Sequence, residues 1–439
     1  MNTSASQKLA IDGGTPVICQ TMSLFSAVGE EEVQAATEVI RSGVLSAYIG
    51  AAGDAFMGGP RVRTLEAEAA EYFGTKNAIV VNSWTSGLIA AVGAIGIEPG
   101  DEIITTPWTM AATATCILHW NGIPVFADID RETFNIDAAS VERCITPRTR
   151  AVLAVDIFGQ SANMTALRSV CNRHGLKLIV DTAQAPGAKV DNHYAGTLGD
   201  IGGYSLNYHK HIHCGEGGIV VTDDDDLARR VRLIRNHAEA VIESDDPSQL
   251  SNMLGYNFRM GEIEAAIASV QLRKLESRVS SRQRAAAQLN EGLAGLPHLK
   301  TPVVAPGCTH AYYVYGLTLD TKALGVSREN IARALRAEGV PGVATGYQNL
   351  HLLPAFRNRI AYGTQGFPWT SPHASRQVTY GPGTCPVAEE LHSQSFLGLA
   401  LCVCEFTPAD IAQVVMAFRK VWSQLDTLKT LAPASSTTA

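Results

Sequence analysis

AVLAVDIF at residues 151–158 and KLIVD at 177–181 are two short apolar runs rich in β-branched residues, separated by a helix-like segment. Strands buried on both faces of a parallel sheet read as near-continuous apolar stretches, and a helix is the usual crossover between two of them. The same unit recurs outward in both directions. AIVV (78–81), EIITT (102–106) and PVFADI (124–129) precede it, and GGYSL (202–206) and GGIVVT (217–222) follow. Seven strands therefore fit between residues 75 and 225, which predicts an α/β fold with a large, mostly parallel seven-stranded sheet.

Beyond them, NFRMGEIEAAIASVQLRKLESRVSSRQRAAAQLNEGL (257–293) reads as one long amphipathic helical stretch, and the pattern changes at GLPHLKTPVVAPGC (295–308). The division expected is an N-terminal segment and large domain over 1–290 and a smaller C-terminal α/β domain over 291–430. In the latter, YYVYGLTLD (312–320) reads as a strand and SRENIARALRAEG (327–339) as a helix. Residues 431–439 carry too little apolar content to pack and are expected to be a disordered tail.

A chain of 439 residues suits one large and one smaller domain, and a 46% hydrophobic share supports their cores. The net charge of -7 and pI near 6.0 lack the basic clustering that nucleic acid or an anionic membrane surface requires. No stretch approaches the roughly 18 to 20 consecutive apolar residues of a membrane span. The start MNTSASQKLAIDGGTPV carries no apolar signal block, and the nine cysteines form no CxxC pair, so free thiols in the cytoplasm are expected. Asp223 to Asp226 precede LARRVRLIRNHAE, where acidic side chains suit a helix N-terminus better than a shared cation.

Ligands in open α/β sheets gather beyond the carboxyl ends of the strands, so polar residues just after the apolar runs are the first candidates. VNSWTSGL (81–88) follows AIVV, DTAQA begins at Asp181, and NYHKHIHCGEGG (207–218) follows GGYSL. In the last, Lys210 precedes a glycine turn that lets backbone approach a ligand closely, and a lysine there can bond covalently to a carbonyl cofactor. A buried carboxylate at Asp181 would keep a pyridine nitrogen protonated, which turns the ring into an electron sink.

Taken together, VNSWTSGL, TPWTMAATA (106–114), DTAQAPGA (181–188), YSLNYHKHIHCGEGGIVVTDD (204–224) and GYNFRMGEIEAA (255–266) resemble, in order and spacing, the DegT/StrS family of pyridoxal-phosphate sugar aminotransferases. The resemblance runs from LAIDGGTPV (9–17) into the C-terminal domain. It implies the aspartate aminotransferase fold (fold type I) and a homodimer with active sites at the subunit interface. It also implies pyridoxal 5'-phosphate as cofactor, with Lys210 as its covalent anchor and Asp181 as partner of its ring nitrogen. Gln184 would lie near the phenolic oxygen and Ala183 on one ring face. Thr85 and Ser86 would give backbone donors to the phosphate at a helix N-terminus. Ser205 would add its hydroxyl, and Asn257 would reach the phosphate from the other subunit. Glutamate or glutamine would be the amino donor. The acceptor would be a keto-sugar, often nucleotide-linked, or a keto-cyclitol, giving an amino sugar or secondary metabolite.

Two positions depart from the family pattern. The ring-stacking aromatic is replaced by Met110, with Trp108 two residues earlier as the other ring cover. In GYQNLHLLPAF (346–356), Gly346 stands where the family often has a histidine, which points to an altered acceptor pocket. His209, His211 and His213 alternate and on a strand would share one face, but a cation beside Lys210 would oppose a positively charged cofactor linkage, so no metal is expected. The rival readings are a pyridoxamine-dependent sugar dehydratase, in which histidine replaces the lysine, and a cofactor-binding regulator without turnover. Lys210 argues against the first.

Overall fold

The computed structural model describes residues 8–242, 251–374, 378–429 and 431. Each of the seven apolar runs forms a strand: β1 (Asn77–Val81), β2 (Glu102–Thr105), β3 (Ile123–Phe126), β4 (Thr149–Val155), β5 (Lys177–Asp181), β6 (Ile201–Ser205) and β7 (Gly218–Thr222). They make one sheet in the order β1-β7-β6-β5-β4-β2-β3. The β2–β3, β2–β4, β4–β5 and β5–β6 pairs are parallel, and β7 runs antiparallel to both neighbours. Strand interiors are almost completely buried, because helices cover both faces, and this explains why they read as apolar runs rather than alternating ones.

The edge strand β1 is pinned from below. Glu66 Oε1 accepts from Val80 N at 3.1 Å and from the buried Arg235 at 2.5 Å, while Arg235 also donates to Val80 O at 3.0 Å. Helix α1 (Trp84–Ala94) starts three residues after β1, with the Ser83 hydroxyl accepting from Ser86 N as its N-cap. The acidic run behaves as the sequence suggests: Asp224 caps the helix Asp225–Arg235 by accepting from Asp226 N and Leu227 N.

The long helical stretch is a single helix, Glu262–Leu293. Past it a second sheet forms from β8 (Leu299–Lys300), β9 (Val314–Leu319), β10 (Val343–Thr345) and β11 (Phe396–Ala400), in the antiparallel order β8-β9-β11-β10. Helices Arg328–Ala337 and Pro408–Trp422 close its core. Residues 9–22, which their chain position groups with the large domain, pack in this second core through Leu9, Ile18 and Met22. Glu338 holds them, accepting from Ala10 N at 2.8 Å and Val17 N at 3.0 Å. The tail expected over 431–439 lies, beyond Leu431, outside the described residues.

Candidate active site

Four chain segments leave the sheet at the carboxyl ends of parallel strands and converge there. Asp181, the last residue of β5, is almost completely buried. Its Oδ1 accepts from the Trp84 indole at 2.7 Å and from Ala183 N at 3.1 Å, and its Oδ2 accepts from the Thr113 hydroxyl at 2.8 Å. An ionised carboxylate offers about four lone-pair directions. Three are taken, and one remains for a ligand.

Lys210 sits in the loop after β6, held by the bond from its own amide to Asn207 O at 3.0 Å and by Leu206 and Cys214, which bond to Gly217 and Leu206 carbonyls. Gly215, at φ +90°, makes the turn that returns the chain to β7. The lysine is 7% exposed, and its ammonium lies 4.5 Å from the Tyr313 ring centroid. Burial pushes its pKa down to about 8, partly countered by the nearby charge of Asp181, so the two groups are within electrostatic reach. A lysine that is partly neutral near pH 8 is the form a carbonyl-bearing cofactor needs.

Gln184, also buried, accepts from Phe158 N at 2.9 Å and donates to the Tyr347 hydroxyl at 3.2 Å. That contact ties the end of β5 to the segment that follows β10. Ala183 is half-buried beside Asp181, and Ser205 ends β6, its hydroxyl accepting from Asn207 N at 3.3 Å. At the start of α1, Thr85 is exposed and Ser86 is buried, with the Ser86 amide engaged by Ser83. Asn257 is exposed; its carbonyl accepts from Asn82 of the same chain at 3.2 Å, and its Oδ1 accepts from Arg259 Nε at 2.7 Å.

Three features differ from, or add to, what the sequence suggests. Trp108 is fully buried among Phe134, Phe158, Tyr347 and Phe396, and its indole donates to Asn349 at 2.8 Å. Its side chain is committed to that core, whereas Met110 is 64% exposed. The alternating histidines lie in a loop, not on a strand, and His211 donates through Nε2 to Ala311 O at 2.8 Å while burial drives its pKa down to about 3. Gly346, at φ +72°, has no room for a side chain: a Cβ there would stand 2.5 Å from His392 O and 2.8 Å from His392 Nδ1.

A buried amine, a buried carboxylate with one open acceptor direction and a helix N-terminus, all at one end of a mostly parallel sheet, fit pyridoxal phosphate. They define a fold type I pyridoxal-phosphate-dependent transferase. Residues 27–396 match the model of the DegT/DnrJ/EryC1/StrS aminotransferase family. The chain is 35% identical over 347 residues to the spore coat polysaccharide biosynthesis protein SpsC of Bacillus subtilis, covering 78% of this chain and 86% of that one. Among solved structures it is similar to DesV of S. venezuelae (TM-score 0.74, 30% identity, 90% of this chain and 95% of that one). It is also similar to DesI solved in the presence of its TDP-sugar product (TM-score 0.75, 28% identity, 95% and 96%). The chain belongs to the DegT/DnrJ/EryC1/StrS aminotransferase family and is a pyridoxal-phosphate-dependent aminotransferase. Among the described residues, no helix is long and apolar enough to cross a membrane.

Proposed function

We propose that the enzyme moves an amino group from glutamate or glutamine to a keto-sugar, nucleotide-linked or free, or to a keto-cyclitol, for an amino sugar or a secondary metabolite. The observation that carries this is the buried pair Lys210 and Asp181 at the strand ends, joined to relatives named for spore polysaccharide synthesis and for a TDP-sugar product. Bound pyridoxal phosphate supplies an electron sink that stabilises negative charge at the substrate carbon. Lys210 anchors it and, once freed, carries the proton between the two carbons that exchange the nitrogen. Asp181 holds the ring nitrogen through its open lone pair. Thr85, Ser86 and Ser205 would receive the phosphate, Gln184 would meet the phenolic oxygen, and Ala183 and Met110 would cover the ring.

The division of the chain near residue 290 and a cytoplasmic location belong to the same reading, the latter supported by nine free cysteines. A homodimer completes it. Val33, Ile40, Val44, Leu45, Ile49 and Leu254 are large apolar side chains between 42% and 67% exposed, surface that a second copy would cover. Asn257 then serves the partner's phosphate. Mixing Lys210→Ala with Asn257→Asp, each nearly inactive alone, should return about one quarter of wild-type activity, since half the dimers are mixed and half of their sites are intact. Subunit exchange without recovery would show that Asn257 serves its own chain.

The donor is tested by the visible absorption of the loaded enzyme. Glutamate or glutamine should bleach it, and the bleached form should regain it with a keto-sugar or keto-cyclitol. Bleaching by alanine or aspartate alone would overturn the donor assignment, and recovery with no such ketone would overturn the acceptor class.

A further inference from the structure

Trp84 occupies the first position of α1, where the reading above looks only for backbone donors to a phosphate. Its side chain does something else. It turns away from the helix terminus and runs beneath the site, 6% exposed, to reach the carboxylate of Asp181, 97 residues away in the chain. The path is cut through glycine. A Cβ at Gly203 would stand 2.1 Å from Ile219 O, 2.3 Å from Trp84 Cζ3 and 2.4 Å from Cη2, and one at Gly87 would stand 2.7 Å from Trp84 Cε3. At Gly218 a Cβ would meet the Trp84 backbone at 2.8 Å. Neither Gly87 nor Gly203 is at a positive φ, so conformational freedom does not account for them. At Gly87 space for the indole does, and at Gly203 the indole shares the place with the Ile219 carbonyl.

We propose that Trp84 is a positioning residue for the transamination, its indole N–H fixing the Asp181 carboxylate in a slot that Gly87 and Gly203 keep open. An indole nitrogen can only donate, and a rigid bicycle held on both sides points that donor in one direction. Together with Ala183 N on the same oxygen and Thr113 on the other, it removes the rotation about the Asp181 χ2 bond, which is otherwise broad. The remaining lone pair is thereby aimed, and the binding partner meets a carboxylate that need not reorganise. The proposal rests on Asp181 being the partner of the ring nitrogen.

Trp84→Phe keeps a ring in the slot and removes the donor. A hydrogen bond to a charged group contributes about 1.5–3 kcal/mol, so kcat should fall about 10- to 100-fold. The KM values for donor and acceptor should stay within about twofold, because the indole is 6% exposed and its N–H is given to Asp181. The pH midpoint of the visible band should rise by about half a unit or more. A ring nitrogen less firmly protonated repels a proton at the Lys210 linkage less. Unchanged kcat and midpoint in a folded, loaded variant would overturn the proposal. So would a loss of kcat that simply tracks a loss of thermal stability with the midpoint unmoved. Indole ¹⁵N–¹H spectra give a second measure that does not depend on the Trp84 variant folding. One of its five tryptophan resonances should shift upfield in Asp181→Asn and move on adding pyridoxal phosphate. If that resonance responds to Asp181→Asn but the wild type binds no cofactor, the reading of the site has failed and the indole bond has not; if no resonance responds to either, the inference is wrong.

Discussion

Lys210→Ala is expected to lower transamination by roughly 10⁴-fold or more while leaving the chain folded. The side chain is almost enclosed, and the nearest comparable lysine, Lys420, is ion-paired with Glu338 in the second core. Borohydride reduction of the loaded wild type should therefore fix the cofactor on Lys210 alone, and peptide mapping reads the position directly. A label on another lysine would overturn the assignment. The same burial fixes a pH dependence with a definite sign. The folded pKa of about 8 lies below the ordinary value near 10.4, so between those limits the unfolded chain binds the extra proton. Stability of cofactor-free wild type should thus rise relative to Lys210→Ala, by about 3 kcal/mol in total, as pH climbs through that window. Below about pH 8 the buried ammonium is a liability that the alanine variant lacks. Capture of added pyridoxal phosphate should accelerate through the same midpoint, because the neutral amine is the nucleophile.

The strands were legible because parallel strands covered on both faces leave a continuous apolar trace, and the long helix because its pattern persists from Glu262 to Leu293. Their order was not. The insertion of β7 between β1 and β6 depends on pairing between Val81 and Gly218 and between Ser205 and Gly218, contacts whose energy lies in partners far apart in the chain. Lys210 and Asp181 stood out because each directly follows or ends an apolar run. Trp84 did not, although it lies beside Thr85 and Ser86: a tryptophan at a helix start reads as packing, and nothing local reveals a bond to residue 181. Residues 9–22 were similarly opaque, since their binding group, Glu338, is over 300 positions distant. The stretch from 362 to 380 carries no clear period. The structure lays Trp369 and Tyr380 at the sheet's outer edge, where Tyr380 donates to Pro124 O in β3 at 2.6 Å and receives the Trp369 indole at 2.8 Å. An edge strand covered in this way is closed to pairing with other chains.

Asp181→Asn should keep the fold and remove most of the activity, and the hydrogen-bond pattern explains both halves. The amide oxygen must take the Oδ1 place, because Trp84 Nε1 and Ala183 N are obligate donors there. The new NH₂ group then falls where Oδ2 accepts from Thr113. A hydroxyl can reverse its role: Thr113 can accept from the amide and pass its own proton to Thr109, whose hydroxyl lies 2.8 Å away. No buried donor is stranded, so thermal unfolding should shift by only a few degrees. What cannot be replaced is the charge and the one open lone pair. A protonated ring nitrogen would meet N–H instead of a carboxylate oxygen, and leaving a buried charge without its partner costs about 3–5 kcal/mol. The expected fall in kcat is therefore roughly 10²- to 10⁴-fold, with cofactor still bound through Lys210 and the phosphate site. Turnover by Asp181→Asn at near the wild-type rate, with the cofactor demonstrably loaded, would remove Asp181 from the reaction and with it the reason for the indole at its back.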